Sequence, residues 1–211
     1  TNWTGTDTRS FDLKTQNKDK KDLDTFGFVD LCKHYTNELK GREVELTDIL
    51  QIVLGFAQDP RTVHKRYLNF ALLGPAGTGK TTLAEAISKL LLRSGILFED
   101  KMVKASRADL VGQYLGQTAP KTTKVLESAR EGVLFLDEIY ALIPCEKRAT
   151  SLDKTSDCLQ WDQYGIEAMN TIVPFLSENQ GMISVIVAGY TEDTLYTFFT
   201  ANEGIPRRFP Y

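Results

Sequence analysis

One eight-residue run constrains the fold of this chain more than any other feature: Gly74-Pro75-Ala76-Gly77-Thr78-Gly79-Lys80-Thr81. It fills every fixed position of the phosphate-binding pattern G-x-x-x-x-G-K-[ST]. The apolar residues from Tyr67 to Leu73 predict a buried strand before the run, and from Thr82 onwards apolar residues recur at helical spacing. Strand, glycine loop and helix in this order are the context that the pattern needs. The sequence therefore predicts a nucleoside triphosphate site.

The chemistry of this loop follows from its backbone and from two side chains. Glycines let the chain turn so that successive N–H groups point at phosphate oxygens, and the start of a helix adds partial positive charge. Lys80 is expected to reach the β- and γ-phosphates, and the Thr81 hydroxyl to ligate Mg²⁺. The predicted nucleotide-binding residues are Gly74, Pro75, Ala76, Gly77, Thr78, Gly79, Lys80, Thr81 and Thr82.

A second motif indicates hydrolysis. The apolar stretch from Gly132 to Leu136 runs directly into Asp137 and Glu138, and nucleotide sites collect at the carboxyl ends of such buried parallel strands. Asp137 suits the Mg²⁺ shell, directly or through water, and Glu138 is placed to polarise an attacking water. The alternative is a strand followed by a solvated acidic turn, which the glycine loop upstream disfavours.

The composition is that of an ordinary globular protein: 211 residues, 42% hydrophobic and 25% charged, with a net charge of -3. This charge gives no basic field for nucleic acid or anionic membranes, and we expect neither as a partner. No apolar run is long enough to cross a bilayer, and no leader pattern opens the chain. Three cysteines without metal-ligand spacing favour a reducing compartment such as the cytoplasm.

The chain divides into two parts by composition. Residues 1–24 are polar and predict a flexible arm or linker, and residues 25–211 predict one α/β domain. Within that domain, further strands are expected at Met102 to Ala105 and at Ile183 to Ala188. Strands that alternate with helices predict a three-layer fold, with a parallel sheet between helices on both faces.

Two local signals predict details of the helices. A helix is expected to begin near Thr118, with the threonine hydroxyl as its cap and Pro120 in its first turn. The helical pattern from Ile166 to Leu176 contains Pro174, which lacks the N–H that bonds back to Asn170. We therefore expect a kink or an early end of this helix.

Further motifs resemble the AAA+ ATPases, and more narrowly the CbxX/CfxQ group that includes the red-type rubisco activases. The Val111-Gly112-Gln113-Tyr114-Leu115-Gly116-Gln117-Thr118-Ala119-Pro120 run is the most selective part of this resemblance. The segments that carry it are Gly74 to Thr82, Asp109 to Thr122, Leu136 to Glu138, Tyr164 to Ala168, Val187 to Tyr190, and Asn202 to Phe209.

The resemblance implies a ring, with six subunits in the proteins that this chain is similar to, and ATP bound with Mg²⁺ between neighbours. Tyr114, Leu115 and Gly116 would form a pore loop that grips a polypeptide; alternatively, the tyrosine packs on its own domain. Arg208 would act as an arginine finger on the γ-phosphate of a neighbour. Its neighbour Arg207 is the alternative for this role, and either arginine is otherwise a surface ion-pair residue.

The chain also departs from the family pattern. The strand that normally ends in a polar sensor runs into Tyr190 and Thr191, so Thr191 is the candidate sensor or else caps the next helix. Family members carry a helical lid after the fifth strand, and we expect both the lid and the fifth strand to be missing from this sequence. The segment Gly41-Arg42-Glu43 resembles the adenine-side segment of some AAA+ proteins.

Together these features predict an ATP-hydrolysing motor subunit that remodels a protein or a complex by pulling on a peptide. Glu138, Lys80, Arg208 and Thr191 are the expected catalytic residues, and Thr81 and Asp137 are the expected metal ligands. The alternative is a nucleotide-binding structural or regulatory subunit with little turnover. A nucleic-acid AAA+ protein is a third possibility, which the acidic composition and Tyr114 disfavour.

Overall fold

The computed structural model describes residues 25–58, 66–144 and 162–211, so the predicted arm at residues 1–24 lies outside the described residues. The described residues form a parallel four-stranded sheet in the order β1-β4-β3-β2. Its strands are β1 (Phe70–Leu73), β2 (Met102–Ala105), β3 (Val133–Leu136) and β4 (Ser184–Gly189). All four predicted strands are present, and β2 has the predicted bounds.

Helices connect and flank these strands. They are α1 (Thr25–Glu38), α2 (Glu43–Gln58), α3 (Lys80–Arg93), α4 (Arg107–Leu110), α5 (Thr118–Ser128), α6 (Gln163–Glu178), α7 (Thr191–Thr197) and α8 (Ile205–Arg208), with a 3₁₀ turn at Ile139–Ala141. Within the described ranges, no helix is both long and apolar enough to cross a bilayer.

The sheet separates two apolar clusters, which confirms the predicted three layers. Alternate residues of a strand point to opposite faces. Thus Phe135 on β3 packs with the cluster that includes residues of α1, α2 and α3. Its neighbours Leu134 and Leu136 pack with the cluster that includes residues of α5 and α6. Every residue of β3 and β4 is buried, as expected for central strands covered on both faces.

The strand register determines where the site lies. Leu73 at the end of β1 pairs with Gly189 at the end of β4, and Leu136 at the end of β3 pairs with Val187. The loops that leave these three strands therefore emerge at one edge of the sheet. This is the edge at which parallel α/β proteins bind ligands.

The predicted early end at Pro174 is wrong, because α6 continues through this residue to Glu178, and a kink at Pro174 remains a prediction. Pro174 is exposed, and so is Asn170, the residue whose carbonyl would otherwise accept the missing bond. On the inner face, Ile172, Phe175 and Leu176 are buried on both sides of the proline. Burial of these side chains outweighs the loss of one hydrogen bond at a solvated position.

Asn69 ties the β1 edge of the sheet to the segment that carries the predicted arginines. Its side chain is 1% exposed. The amide nitrogen donates to the backbone carbonyl of Arg208 at 2.7 Å, and the amide oxygen accepts from Val185 N at 2.8 Å. Nearby, Ala71 N donates to the carbonyl of Tyr211 at 2.8 Å. The sheet of the described residues has four strands, as the expected lack of a fifth strand implies.

We predict that Asn69→Ala lowers the free energy of unfolding by about 2–3 kcal/mol, because it leaves a buried N–H and a carbonyl without their partner. Urea denaturation measures this as a lower midpoint with an unchanged slope. The control is Asn170→Ala, an exposed asparagine of α6, for which a change within about 0.5 kcal/mol is expected. Equal midpoints for the two variants would contradict the role of Asn69.

Candidate functional site

The glycine loop lies between β1 and α3, as predicted, and its backbone requires glycine. Gly77 and Gly79 have φ angles of +73° and +79°, a region that residues other than glycine rarely adopt. Helix α3 begins directly after Gly79, at Lys80. The first N–H groups of a helix have no partner within it, so the loop presents free donors and the positive end of the helix dipole together.

The Lys80 ammonium folds back onto the same loop. Its Nζ donates to the carbonyl oxygens of Gly74 at 2.9 Å and Pro75 at 2.8 Å. Gly74 N in turn donates to the carbonyl of Gly189 at 3.1 Å, which joins the loop to the end of β4. These contacts keep a cation at the phosphate loop. An anion placed there would meet both kinds of donor.

The two predicted acids, Asp137 and Glu138, follow β3 and line the same cavity as the glycine loop. Both side chains are exposed. Glu138 N donates to Oδ1 of Asp137 at 2.9 Å. Glu138 itself has φ 49° and ψ 44°, a left-handed conformation that is uncommon for a residue other than glycine. Such strained residues cluster at functional sites, where the surrounding structure maintains them.

A cavity of about 430 Å³ brings these groups together. It is lined by residues 76–82, Asp137, Glu138, Tyr140, Gly189 and Tyr190. The volume is within the range of small-molecule sites. The structure thus unites predicted residues from two distant motifs, while Gly74 and Pro75 contribute the carbonyls that Lys80 contacts.

The donor set of the cavity suits Mg²⁺. Thr81 and Asp137 supply a hydroxyl and a carboxylate, and these hard oxygen ligands are the kind that Mg²⁺ prefers. The described residues contain no group of three or more His, Cys, Asp or Glu side chains arranged to hold a metal ion. Mg²⁺ needs no such cage, because water and phosphate oxygens fill most of its shell.

Three residues that line the cavity, Tyr140, Gly189 and Tyr190, were not among the predicted site residues. Tyr140 lies two residues after Glu138 of the acidic motif, and Tyr190 directly follows the predicted strand β4. Thr191, the candidate sensor, is exposed at the first position of α7 and does not line the cavity. The side chain that the end of β4 directs into the cavity is that of Tyr190.

A second cavity of about 350 Å³ lies beside the first and shares Thr78 and Lys80 with it. Arg42 and Glu45 line its mouth and form an ion pair of 2.6 Å. The hydrogen bond from Arg42 holds the pKa of Glu45 below its ordinary value. Of the Gly41-Arg42-Glu43 segment, Arg42 thus lines a cavity that adjoins the phosphate loop, and the adenine-side role of the segment remains a prediction.

The predicted pore loop projects from the domain between α4 and α5. Tyr114 and Leu115 are 68% and 85% exposed, so the described residues leave most of Tyr114 uncovered. Gly116 has a φ of +80°. The predicted cap of α5 is wrong. Its N-cap residue is Gln117, and the Thr118 hydroxyl instead accepts from Gly112 N at 3.0 Å, which closes the base of the loop.

The two arginines of α8 have different surroundings. Arg208 is half-buried and donates to the Val173 carbonyl at 3.0 Å, to the Gly204 carbonyl at 2.8 Å and to the Ser177 hydroxyl at 2.6 Å. Arg207 is exposed. These contacts fix Arg208 to α6, whereas Arg207 extends from the surface.

The fold and the site define a P-loop nucleotide-binding domain with an acidic pair at the third strand. A family model described as "ATPase family associated with various cellular activities (AAA)" matches residues 70–202. The chain belongs to this family.

Curated relatives include secretion-system proteins of mycobacteria. The chain is 34% identical over 173 residues to the ESX-3 secretion system protein EccA3 of Mycobacterium tuberculosis H37Rv, a match that covers 82% of this chain and 25% of EccA3. It is 38% identical over 136 residues to the ESX-1 secretion system protein EccA1 of the same strain, covering 64% of this chain and 22% of EccA1. The chain thus spans about a quarter of the length of these relatives.

A solved structure shows the same fold. A chain from the Escherichia coli MS115-1 HORMA:CdnC:Trip13 complex superposes with a TM-score of 0.54 at 19% sequence identity, covering 84% of this chain and 63% of that one. At this identity the likeness concerns the fold alone.

Proposed function

We propose that this domain binds ATP with Mg²⁺ and hydrolyses it as the motor of a protein-remodelling machine of the CbxX/CfxQ type. The observation that carries the proposal is the convergence of Lys80, Thr81, Asp137 and Glu138 on one cavity. A structural nucleotide site needs the first three residues, which hold the triphosphate and its metal. Hydrolysis also needs a group that acts on water, and Glu138 supplies it.

We assign a different role to each group of cavity residues. The loop N–H groups and Lys80 hold the phosphates, and Thr81 and Asp137 hold Mg²⁺, which when bound neutralises charge on the β- and γ-phosphates. The carboxylate of Glu138 accepts a hydrogen bond from water and orients it for attack. Because Lys80 donates its hydrogen bonds to the neutral carbonyl oxygens of Gly74 and Pro75, a phosphate offers its ammonium a stronger bond between opposite charges.

We predict that Glu138→Gln lowers kcat by about 10²–10⁴-fold, the usual contribution of a positioned acid or base, and leaves ATP binding intact. Steady-state phosphate release and equilibrium binding of labelled ATP measure the two quantities. Glu127→Gln, an exposed substitution on α5, is the matched control and should leave both unchanged. If the unaltered protein binds ATP and never turns it over, the alternative of a structural or regulatory subunit replaces the motor.

The surroundings of the two arginines of α8 bear on which of them would complete the site of a neighbouring subunit. We propose that one of the two, Arg207 or Arg208, acts on the γ-phosphate that a neighbour holds. Arg208 reaches a neighbour only if it releases its bonds to Val173 and Ser177 on α6. Arg207 is exposed and needs no such change. We therefore expect Arg207 to make the contact and Arg208 to anchor the helix that presents it.

We predict that Arg207→Ala lowers ATP turnover of the assembled protein by about 10³-fold or more without lowering its melting temperature. Arg208→Ala, in contrast to Arg207→Ala, should lower the melting temperature, because it removes the bonds to α6. Mixing Arg207→Ala subunits with Glu138→Gln subunits tests action between neighbours. Mixed rings contain sites that have both an intact Glu138 and a neighbour's Arg207, so activity should return. No recovery in the mixture would contradict an arginine supplied by a neighbour.

The exposed loop at Tyr114 supports the proposal that the energy of ATP hydrolysis is used to pull on a peptide. An aromatic ring offers a large contact area that tolerates many peptide sequences, and Tyr114 is 68% exposed. The named relatives are components of secretion systems. We propose that this chain engages a protein client through Tyr114, within a homo-oligomeric ring.

We predict that Tyr114→Ala keeps ATP turnover within about twofold of the unaltered protein, because Tyr114 does not line the cavity, and abolishes remodelling of the client. Phe98→Ala is the matched control, since this ring is 73% exposed and lies outside the loop. Co-purification of client with rings that carry Glu138→Gln reports engagement before turnover. Equal client capture by both variants would exclude Tyr114 as the gripping residue.

A further inference from the structure

Arg107 joins three elements of the domain, although it does not line the nucleotide cavity. It is the first residue of α4. Its Nη1 donates to the carbonyl of Leu142, which directly follows the 3₁₀ turn after the two acids. Its Nη2 lies 2.7 Å from Oδ2 of Asp162, the N-cap residue of α6. Because the N–H groups of a guanidinium point in fixed directions, one arginine holds both partners at once.

The Leu142 carbonyl has a fixed position relative to Glu138. Ala141 N donates to the Glu138 carbonyl at 2.8 Å, and Leu142 N donates to the Ile139 carbonyl at 3.0 Å. Leu142 itself is 1% exposed. The first turn of α6 also comes close to this carbonyl, because a Cβ added at Gly165 would lie 2.1 Å from the Leu142 oxygen. A shift of the segment that follows Glu138 therefore reaches Arg107 through a short, bonded turn.

Asp162 joins the start of α6 to the same arginine. Its Oδ2 accepts the N-cap bond from Gly165 N at 2.7 Å and is the oxygen that lies next to Arg107 Nη2. The side chains of Arg107 and Asp162 are 32% and 21% exposed, so salt screens this pair less than a pair at the surface. The starts of α4 and α6 thus hold each other through one carboxylate oxygen.

Helix α4 leads directly into the Tyr114 loop, which we define as residues 111–117. The end of α4 is bonded to α5 on the other side of this loop. The Thr122 hydroxyl donates to the Leu110 carbonyl at 3.1 Å, and Lys121 Nζ donates to the Val111 carbonyl at 2.9 Å. Thr122 and Leu110 are 0% and 1% exposed. The base of the loop is therefore connected to α4, the helix that Arg107 holds.

We propose that Arg107 is a positioning residue between the nucleotide cavity and the Tyr114 loop: it links the turn after Glu138 to the helix before the loop. A shift of this turn when ATP binds or is hydrolysed then moves the loop. The inference rests on the proposed function, which places ATP beside Glu138 and a client at Tyr114. The nucleotide affects the loop to the extent that its bound states place the turn differently.

The alternative is that Arg107 only stabilises the fold. The two interpretations differ for Arg107→Lys, which keeps the positive charge and loses the fixed fork that holds the Leu142 carbonyl and Asp162 together. A purely structural role predicts a lower melting temperature and an unchanged response of the loop to ATP. A positioning role predicts that this response is lost while ATP still binds.

The test is amide hydrogen exchange of residues 107–122 in the full-length protein, with Glu138→Gln as the parent so that bound ATP stays intact. Gly112 N and Gln117 N report on the loop, because they donate to the Thr118 hydroxyl and the Tyr114 carbonyl. Saturating ATP with Mg²⁺ should change their exchange rates by about fivefold or more in the parent and by less than about twofold in Arg107→Lys, fivefold being the lower end of typical coupling between sites.

Two further variants separate positioning from stability. Lys104→Ala is the matched control, because its ion pair of 2.9 Å joins β2 to Glu85 on α3 and involves neither the turn nor α6. It should keep the response of the parent. Asp162→Asn keeps an oxygen for Gly165 N and removes the charge that pairs with Arg107. It should weaken the response and add nothing to the effect of Arg107→Lys.

An equal response in the parent and in Arg107→Lys would overturn the inference. So would a parent whose loop does not respond to ATP, or a Lys104→Ala variant that loses the response. The proposed function fails in a different way: if the loop responds to ATP while the protein with native Glu138 never turns ATP over, the motor is contradicted and the link through Arg107 is supported.

Discussion

The parallel pairing of β4 with β1 on one side and β3 on the other is the constraint on which the site depends. Leu73 lies opposite Gly189, and Leu136 lies opposite Val187, so three strands deliver their loops to one edge. The glycine loop follows β1, the two acids follow β3 and Tyr190 follows β4. The bond from Gly74 N to the Gly189 carbonyl continues this pairing into the loop itself. A slip of one residue in any strand would separate the phosphate cradle from the carboxylates.

The same sheet also connects the nucleotide cavity to the surfaces that we propose act between subunits and on a client. Through Asn69, β1 and β4 hold the backbone of Arg208, and Arg208 in turn anchors α8 to α6. On the other side, the N-terminus of α5 contacts α6, because Ala119 N donates to the Glu167 carboxylate at 3.2 Å. Helix α6 therefore contacts both the arginine segment and the base of the Tyr114 loop.

The sequence predicted the sheet and most of the cavity because those features are encoded locally. Apolar runs bounded by polar residues located the strands, and the fixed spacing from Gly74 to Thr81 located the phosphate cradle. The predictions from the sequence were wrong where tertiary contacts determine the local structure. Pro174 does not end α6 because the residues around it are buried on the inner face, and the Thr118 hydroxyl bonds Gly112 rather than its own helix. That Tyr140 and Tyr190 line one cavity depends on strand order, which no local pattern contains.

The measurement that tests the central claim most directly is a crystal structure of the protein grown with Mg²⁺ and a non-hydrolysable ATP analogue. The account predicts phosphate oxygens within hydrogen-bonding distance of the N–H groups of residues 77–81. It also predicts that Lys80 Nζ moves from the carbonyls of Gly74 and Pro75 onto the phosphates, with a metal ion beside Thr81 and Asp137. A cavity without nucleotide at saturating concentration, with Lys80 still on those carbonyls, would contradict it.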